Sequence, residues 1–278
     1  MVGAQRRALV TGASRGIGKA AAIALAERGW DVAITARTLT EGHGVDTSEA
    51  GAGRTIPGSL ETTAALIEDT GGRALPLVVD LHEHDQIAAC VATTIEVLGG
   101  VELVVNNAID AGPGSMTPIL DLTIEQLEAK LDANVVAQLV LIKAVLPSML
   151  EHGTGTIIDV TSNVATHDPP GPIGEGGWGL AYAASKAAFH RFAPLLAIEL
   201  GTRGIRAFNL DPGFVVTERQ EVNAAALGLD RHYVGAPPSV PGRAIAWLAE
   251  HPDDVENGST VKAQRLALDL ELHPDWRS

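Results

Sequence analysis

Tyr182 and Lys186 stand four residues apart in Tyr182-Ala183-Ala184-Ser185-Lys186, at the start of a segment that reads as a helix, so both side chains project from one face. A free tyrosine ionises at about pH 10, too high for acid-base work at neutral pH. An ammonium one turn away stabilises the phenolate and lowers that pKa, which suits the pair to reducing a carbonyl or oxidising an alcohol. The same spacing also describes an ordinary amphipathic pair on a helix surface, so the rest of the chain must decide.

The N-terminal segment supplies the context. Arg7-Ala8-Leu9-Val10-Thr11 is a short apolar strand, Gly12-Ala13-Ser14-Arg15-Gly16-Ile17-Gly18 a glycine-rich turn, and Lys19 to Arg28 a helical run closed by Gly29. Gly12 permits a tight turn, Gly16 lacks the Cβ that would block a pyrophosphate, and Gly18 lets helix and strand approach closely. Backbone N-H groups at the helix start then face an anion.

Thr11-Gly12-x-x-x-Gly16-x-Gly18, Asn106-Asn107-Ala108, Ser162, Tyr182-x-x-x-Lys186 and Asp211-Pro212-Gly213 occur in this order. The pattern resembles the short-chain dehydrogenase/reductase family from about residue 6 to about residue 217, with a looser tail. The resemblance implies Ser162, Tyr182 and Lys186 as the catalytic group, with Asn134 completing a proton relay by holding a water next to Lys186. In that scheme Ser162 hydrogen-bonds the substrate oxygen, Tyr182 passes the proton, and Lys186 lowers the tyrosine pKa and binds the nicotinamide ribose. The resemblance also implies a cofactor-binding set: Gly12, Ser14, Arg15, Gly16, Ile17 and Gly18 in the turn, Asn107 and Ala108 after the fourth strand, and Pro212, Gly213, Val215 and Thr217 farther on. Taken singly, Ser162 would also fit a strand-ending hydroxyl serving local backbone, and Asn134 a polar interruption in a long helix.

Charge bears on which nicotinamide cofactor is bound. An acidic residue ending the second strand accepts a ribose 2'-OH, whereas arginine there accommodates a 2'-phosphate. The second strand here, Asp31 to Ala36, runs into Arg37-Thr38, and Arg15 is a second cation able to fold over the same phosphate. NADP (NADPH) is the expected cofactor; solvated loop arginines are the alternative. By the resemblance, Asp80 meets the adenine ring and Leu81 covers its face.

The chain of 278 residues has length for one large α/β domain, 1-278. Hydrophobic residues make up 46% and aromatics 4%, so Ala, Val, Leu and Ile must build the core, as in a parallel sheet covered on both faces. A net charge of -14 opposes nucleic acid and anionic membranes as partners. Cys90 is the only cysteine, so no intrachain disulfide forms. Arg6-Arg7 are followed by too few apolar residues for a signal peptide, and Val135 to Leu150 is short of a membrane span. A cytoplasmic protein is expected. The resemblance implies a homodimer or homotetramer, although the tail after Gly258 lacks the family's glycine-rich ending.

Strands near 7-11, 31-36, 75-80, 101-106, 155-161, 205-210 and 260-264 alternate with helices near 17-28, 59-71, 84-98, 123-150, 180-202 and 239-250. This rhythm predicts a Rossmann-like doubly wound parallel sheet of about seven strands, with ligands bound at the carboxyl ends of the strands. Thr38 to Pro57 is too long for an ordinary connection and is expected to be a mobile flap beside the adenosine end. Segments 163-181 and 214-238 are expected to cover the substrate, with Leu227, Leu229 and Tyr233 as apolar contacts. Ile109 replaces the glycine usual after Asn106-Asn107-Ala108, and a β-branched residue resists positive φ. His82-Glu83-His84, between Asp80 and Asp85, reads as a loop opening a helix, so no metal is expected. No G-x-S-x-G elbow surrounds Ser162, which excludes a serine hydrolase of that type.

These readings converge on an NADP-dependent oxidoreductase that moves hydride to or from a small-molecule carbonyl or secondary alcohol. The alternative is a catalytically silent dinucleotide-binding sensor or partner protein.

Overall fold

Apolar strands whose side chains alternate between two faces need a cover on each face. In the computed structural model, residues 6-49, 51, 53-227 and 235-276 are described, 224-227 by backbone alone. Seven strands form one parallel sheet: β1 (Arg6–Thr11), β2 (Trp30–Ala36), β3 (Ala74–Val78), β4 (Leu103–Asn106), β5 (Gly155–Val160), β6 (Ile205–Asp211) and β7 (Thr260–Lys262). Their order is β3-β2-β1-β4-β5-β6-β7, so the winding reverses between β1 and β4. The connections hold α1 (Gly16–Ala26), α2 (Leu60–Asp69), α3 (His84–Leu98), α4 (Ile124–Leu131), α5 (Ala137–His152), α6 (Leu180–His190), α7 (Phe192–Leu200), α8 (Glu218–Leu227), α9 (Ser239–Glu250) and α10 (Ala263–Asp269).

The strand alternation divides the core in two. Ala8 and Val10 of β1, Leu103 and Val105 of β4 and Ile158 of β5 join Leu25 of α1 and Ile245 and Leu248 of α9 on one face. Leu9, Val104 and Ile157 point the other way, onto Ile87 and Val91 of α3 and Leu141 and Val145 of α5. Each fully buried Val, Leu or Ile contributes about 1.5 to 3 kcal/mol, so this two-sided packing drives the fold. Small residues let helices close in: a Cβ on Gly242 of α9 would lie 2.8 Å from the Ala20 backbone of α1.

Several boundaries differ from expectation. The helix predicted over 123-150 contains a π turn, Asp132–Val136, between α4 and α5. The whole run Ile124–His152 is long and apolar enough to cross a membrane, by length and composition, which corrects the expectation that this stretch is too short. Here it packs Leu141, Ile142, Val145 and Met149 into the core against the sheet. The helix predicted over 180-202 divides at Arg191, β7 stops at Lys262 where α10 begins, and α8 and α10 had no counterpart in the sequence reading.

Segment 38-57 is folded back rather than loose. Val45 bridges Thr55, and the buried Asp46 accepts hydrogen bonds from Ser48 N at 3.0 Å and Asn223 Nδ2 at 2.9 Å. Glu49 Oε1 accepts from Gly114 N at 2.7 Å and from the Thr117 hydroxyl at 2.6 Å, across the mouth of the sheet's carboxyl edge. The expected flap forms a strap, tied through its middle both to α8 and to the 112-117 loop.

Candidate active site

β1 hands the chain to the glycine turn with Gly12 at φ +66 and Gly16 at φ +56, a region that resists other residues. A Cβ on Gly12 would come within 2.8 Å of Asn107 Nδ2, and one on Gly18 would run into the Gly12 carbonyl. Thr11 Oγ1 accepts from Asn107 N at 3.0 Å and Ala108 N at 2.9 Å, and Asn107 Nδ2 donates to Thr11 O at 2.8 Å. These bonds sew the loop after β4 to the glycine turn. Ile109 sits there without positive φ, which Glu271 alone shows among the described non-glycine residues. The turn thus accepts the β-branched residue.

A cleft of about 870 Å³ opens at the carboxyl ends of the strands, over the point where the winding reverses. Gly12, Ser14, Arg15, Gly16 and Ile17 line one end, with Arg37, Asp80 and Leu81 beyond them. Asn107, Ala108, Ser162, Tyr182 and Lys186 line the other, and Pro212, Gly213, Val215 and Thr217 form a side wall. Gly18 and Asn134 stand behind that lining, Gly18 against the Gly12 carbonyl and Asn134 beneath α6.

The catalytic candidates meet. Ser162, just past the end of β5, lines the cleft with Tyr182, its Oγ accepting from Val164 N at 3.3 Å, and Lys186 Nζ, buried, donates to the Val160 carbonyl at 2.8 Å. Burial lowers Lys186 to about 8, with the Asp159 carboxylate opposing. Burial raises Asp159 to about 7, opposed by the Asn106 amide at 3.1 Å and by Lys186. Tyr182 departs from expectation: burial pushes its hydroxyl above the ordinary value, the Ser162 hydroxyl opposes, and Asp211 pushes it further up. No lowering from Lys186 accompanies it; the Lys186 ammonium donates to the Val160 carbonyl.

Asn134 lies in the π turn, where Oδ1 accepts from Asp110 N at 2.8 Å and Nδ2 donates to Ser185 Oγ at 3.1 Å. Its side chain joins the 110-112 loop to α6. Lys130, wholly buried, supports the same loop through Asp110 Oδ2 at 2.7 Å, Asp110 O at 3.0 Å and Gly112 O at 2.6 Å. The sequence reading missed Lys130, although its place four residues before Asn134 puts both on one helix face.

At the adenosine end Arg37 lies 4.0 Å from Asp80, with both side chains partly exposed. Arg15 is engaged otherwise than expected: Nε donates to Pro57 O at 3.0 Å and a terminal nitrogen to Gly58 O at 2.7 Å. Those carbonyls compete with any phosphate for its guanidinium. In the segments beyond the side wall, Trp178 and Phe214 line the substrate end, whereas Leu229, Tyr233 and the side chain of Leu227 lie outside the described residues. His82 and His84 flank Asp132 at 3.4 and 3.1 Å.

This arrangement fits a dinucleotide. The glycine turn is a cradle that a Cβ would fill, and N-cap Arg15 gives α1 no side-chain cap, so that the Gly16 N-H donates instead to a carboxylate, Glu218 Oε2, at 2.8 Å, as it could to another anion. A family model described as short chain dehydrogenase matches residues 6-227, and the chain belongs to that family. A short chain dehydrogenase of Pseudocercospora fijiensis is 38% identical over 273 residues, covering 97% of this chain and 73% of its own. A Mycobacterium paratuberculosis short chain dehydrogenase bound to NAD superposes with TM-score 0.74 at 26% identity, covering 93% of this chain and 96% of its own. A 3-oxoacyl (acyl-carrier-protein) reductase of Agrobacterium tumefaciens with NADP bound gives 0.75 at 26%, covering 92% of each chain. The protein is accordingly an NAD(P)-dependent oxidoreductase with a Rossmann-like fold.

Proposed function

We propose that this enzyme prefers NADP and interconverts a small-molecule carbonyl and the corresponding alcohol, with Tyr182 as the acid-base group. The observation that carries the reading is the meeting of Ser162, Tyr182 and Lys186 at one wall of the cleft. The bound nicotinamide supplies or accepts the hydride. In the reducing direction Ser162 orients the substrate oxygen and Tyr182 gives it a proton, while Lys186 holds the ribose and stabilises the phenolate left behind. Burial leaves Tyr182 protonated but a weaker acid than a free tyrosine, so the reading rests on the placement of the three residues and not on this shift. Asn134 acts as a positioning residue through Asp110 and Ser185. A silent dinucleotide sensor would need only the glycine-turn half of the cleft, so the presence of Ser162, Tyr182 and Lys186 together in its other half favours the enzyme. The NADP preference rests on Arg37 and on the lack of a carboxylate at the end of β2. Cytoplasmic location and a homodimer or homotetramer complete the reading; light scattering tests the assembly.

The experiment is NADPH consumption over a carbonyl panel, wild type against Tyr182→Phe. The variant is expected to bind NADPH within a few fold of wild type and to lose about a hundredfold or more in turnover. Near-normal turnover would remove Tyr182 from the chemistry.

A further inference from the structure

Arg219, in the first turn of α8, lines the cleft with its side chain 29% exposed. Its only ionic contact among the described residues is Asp46 of the strap at 3.4 Å, and its Nε has no hydrogen-bond partner. Of the neighbouring cations, Arg15 is engaged by the Pro57 and Gly58 carbonyls, Lys19 by Glu218 and Lys186 by Val160, while Arg37 stands at the adenosine end, 4.0 Å from Asp80. Burial holds the Arg219 guanidinium below its ordinary range, Asp46 opposes, and Arg37 adds to the lowering. A desolvated cation so poorly paired is costly unless an anion completes it.

The neighbouring residues say where that anion lies. A Cβ on Gly16 would be 3.2 Å from Thr217 Cγ2, and the Gly16 N-H donates to Glu218 Oε2 at 2.8 Å. Thr217 and Glu218 therefore sit directly over the glycine turn, and Arg219, next in the chain, lines the same cleft. On the cofactor reading above, the dinucleotide's pyrophosphate rests on that turn in place of the Glu218 carboxylate that now holds the Gly16 amide, with backbone amides on one side and Arg219 on the other. We propose that Arg219 is a pyrophosphate ligand, closing the cofactor trough opposite the glycine turn, and that Asp46 of the strap positions it. A planar guanidinium meets two phosphate oxygens at once, which an ammonium does not. Because pyrophosphate is common to NAD and NADP, this contact tightens both and chooses neither.

The test is calorimetric or fluorescence titration of wild type, Arg219→Ala, Arg219→Lys and Asp46→Asn with NADPH, NADH and ADP-ribose, with thermal melts confirming that each folds. Arg219→Ala is expected to weaken all three ligands together by about tenfold to a hundredfold. Arg219→Lys, keeping the charge without the fork, should lose less. Asp46→Asn, which can still accept from Ser48 N though its amide nitrogen meets the donor Asn223 Nδ2, should stay within about fivefold of wild type. Unchanged affinities in Arg219→Ala overturn the proposal, as do equal losses in Arg219→Ala and Asp46→Asn, which would make Arg219 a mere anchor of the strap. Wild type binding none of the three would overturn the cofactor reading itself, and this assignment with it.

Discussion

Arg37 and Asp80 face each other at 4.0 Å at the adenosine end of the cleft, too far apart to neutralise each other in water. The guanidinium remains available to a 2'-phosphate, and a charge-assisted bond of that kind is worth about 1.5 to 3 kcal/mol. Arg37→Ala should weaken NADPH about tenfold to a hundredfold and leave NADH nearly unchanged, so the ratio of the two dissociation constants is the measurement. Equal loss for both cofactors would send the assignment elsewhere. Asp159 yields a different residue-scale prediction. Inside the fold it keeps its proton up to about pH 7, against an ordinary 3.8. Between those values the unfolded chain binds fewer protons than the folded one, so stability falls as pH rises through the window. Lys186, lowered only to about 8, stays charged across it. Asp159→Asn removes a loss on the order of 4 kcal/mol. Its melting temperature should therefore gain on wild type from pH 4 to pH 7 and hold that lead above; a pH-independent difference would sink the idea.

Among the elements, α4 carries the most exposed risk, because its wholly buried Lys130 ammonium depends on Asp110 and two carbonyls. Lys130→Met leaves the Asp110 carboxylate without its partner, which costs about 3 to 5 kcal/mol, or roughly 6 to 20 °C in melting temperature. Adding Asp110→Asn should restore most of that loss in a double-mutant cycle, and strict additivity would show that the two residues do not act as a pair. What was legible beforehand follows from range. Strand ends, the glycine turn and the Tyr182-Lys186 pair are local patterns, and each predicted site residue lies in the cleft or directly behind it. The strap's ties to Asn223, Gly114 and Thr117 were not legible because they join residues 65 or more positions apart, which no periodicity announces. The π turn was invisible for a related reason. One extra residue per turn leaves the apolar pattern of a long helix almost intact while re-aiming Asn134.

For the molecule as a whole, the single thiol is a probe of cooperativity. Cys90 lies in α3 against the core on one face of the sheet, and burial raises its thiol to about 12. At pH 8 a free cysteine is about a quarter thiolate, whereas the folded one is so to about one part in ten thousand, so labelling should slow by roughly a thousandfold or more. Residual labelling then proceeds through opening of the fold or by way of the cleft, whose lining includes Cys90. β1, β4 and β5 bound both the core around Cys90 and the cleft, so opening that frees the thiol should also dismantle the cofactor site. NADPH at about a hundred times its dissociation constant stabilises the closed state by about 2.7 kcal/mol. Labelling of Cys90 should slow by about a further hundredfold under those conditions. A rate indifferent to NADPH would mean that α3 opens locally while the cleft stays assembled, and the two faces of the sheet would then not unfold as one unit.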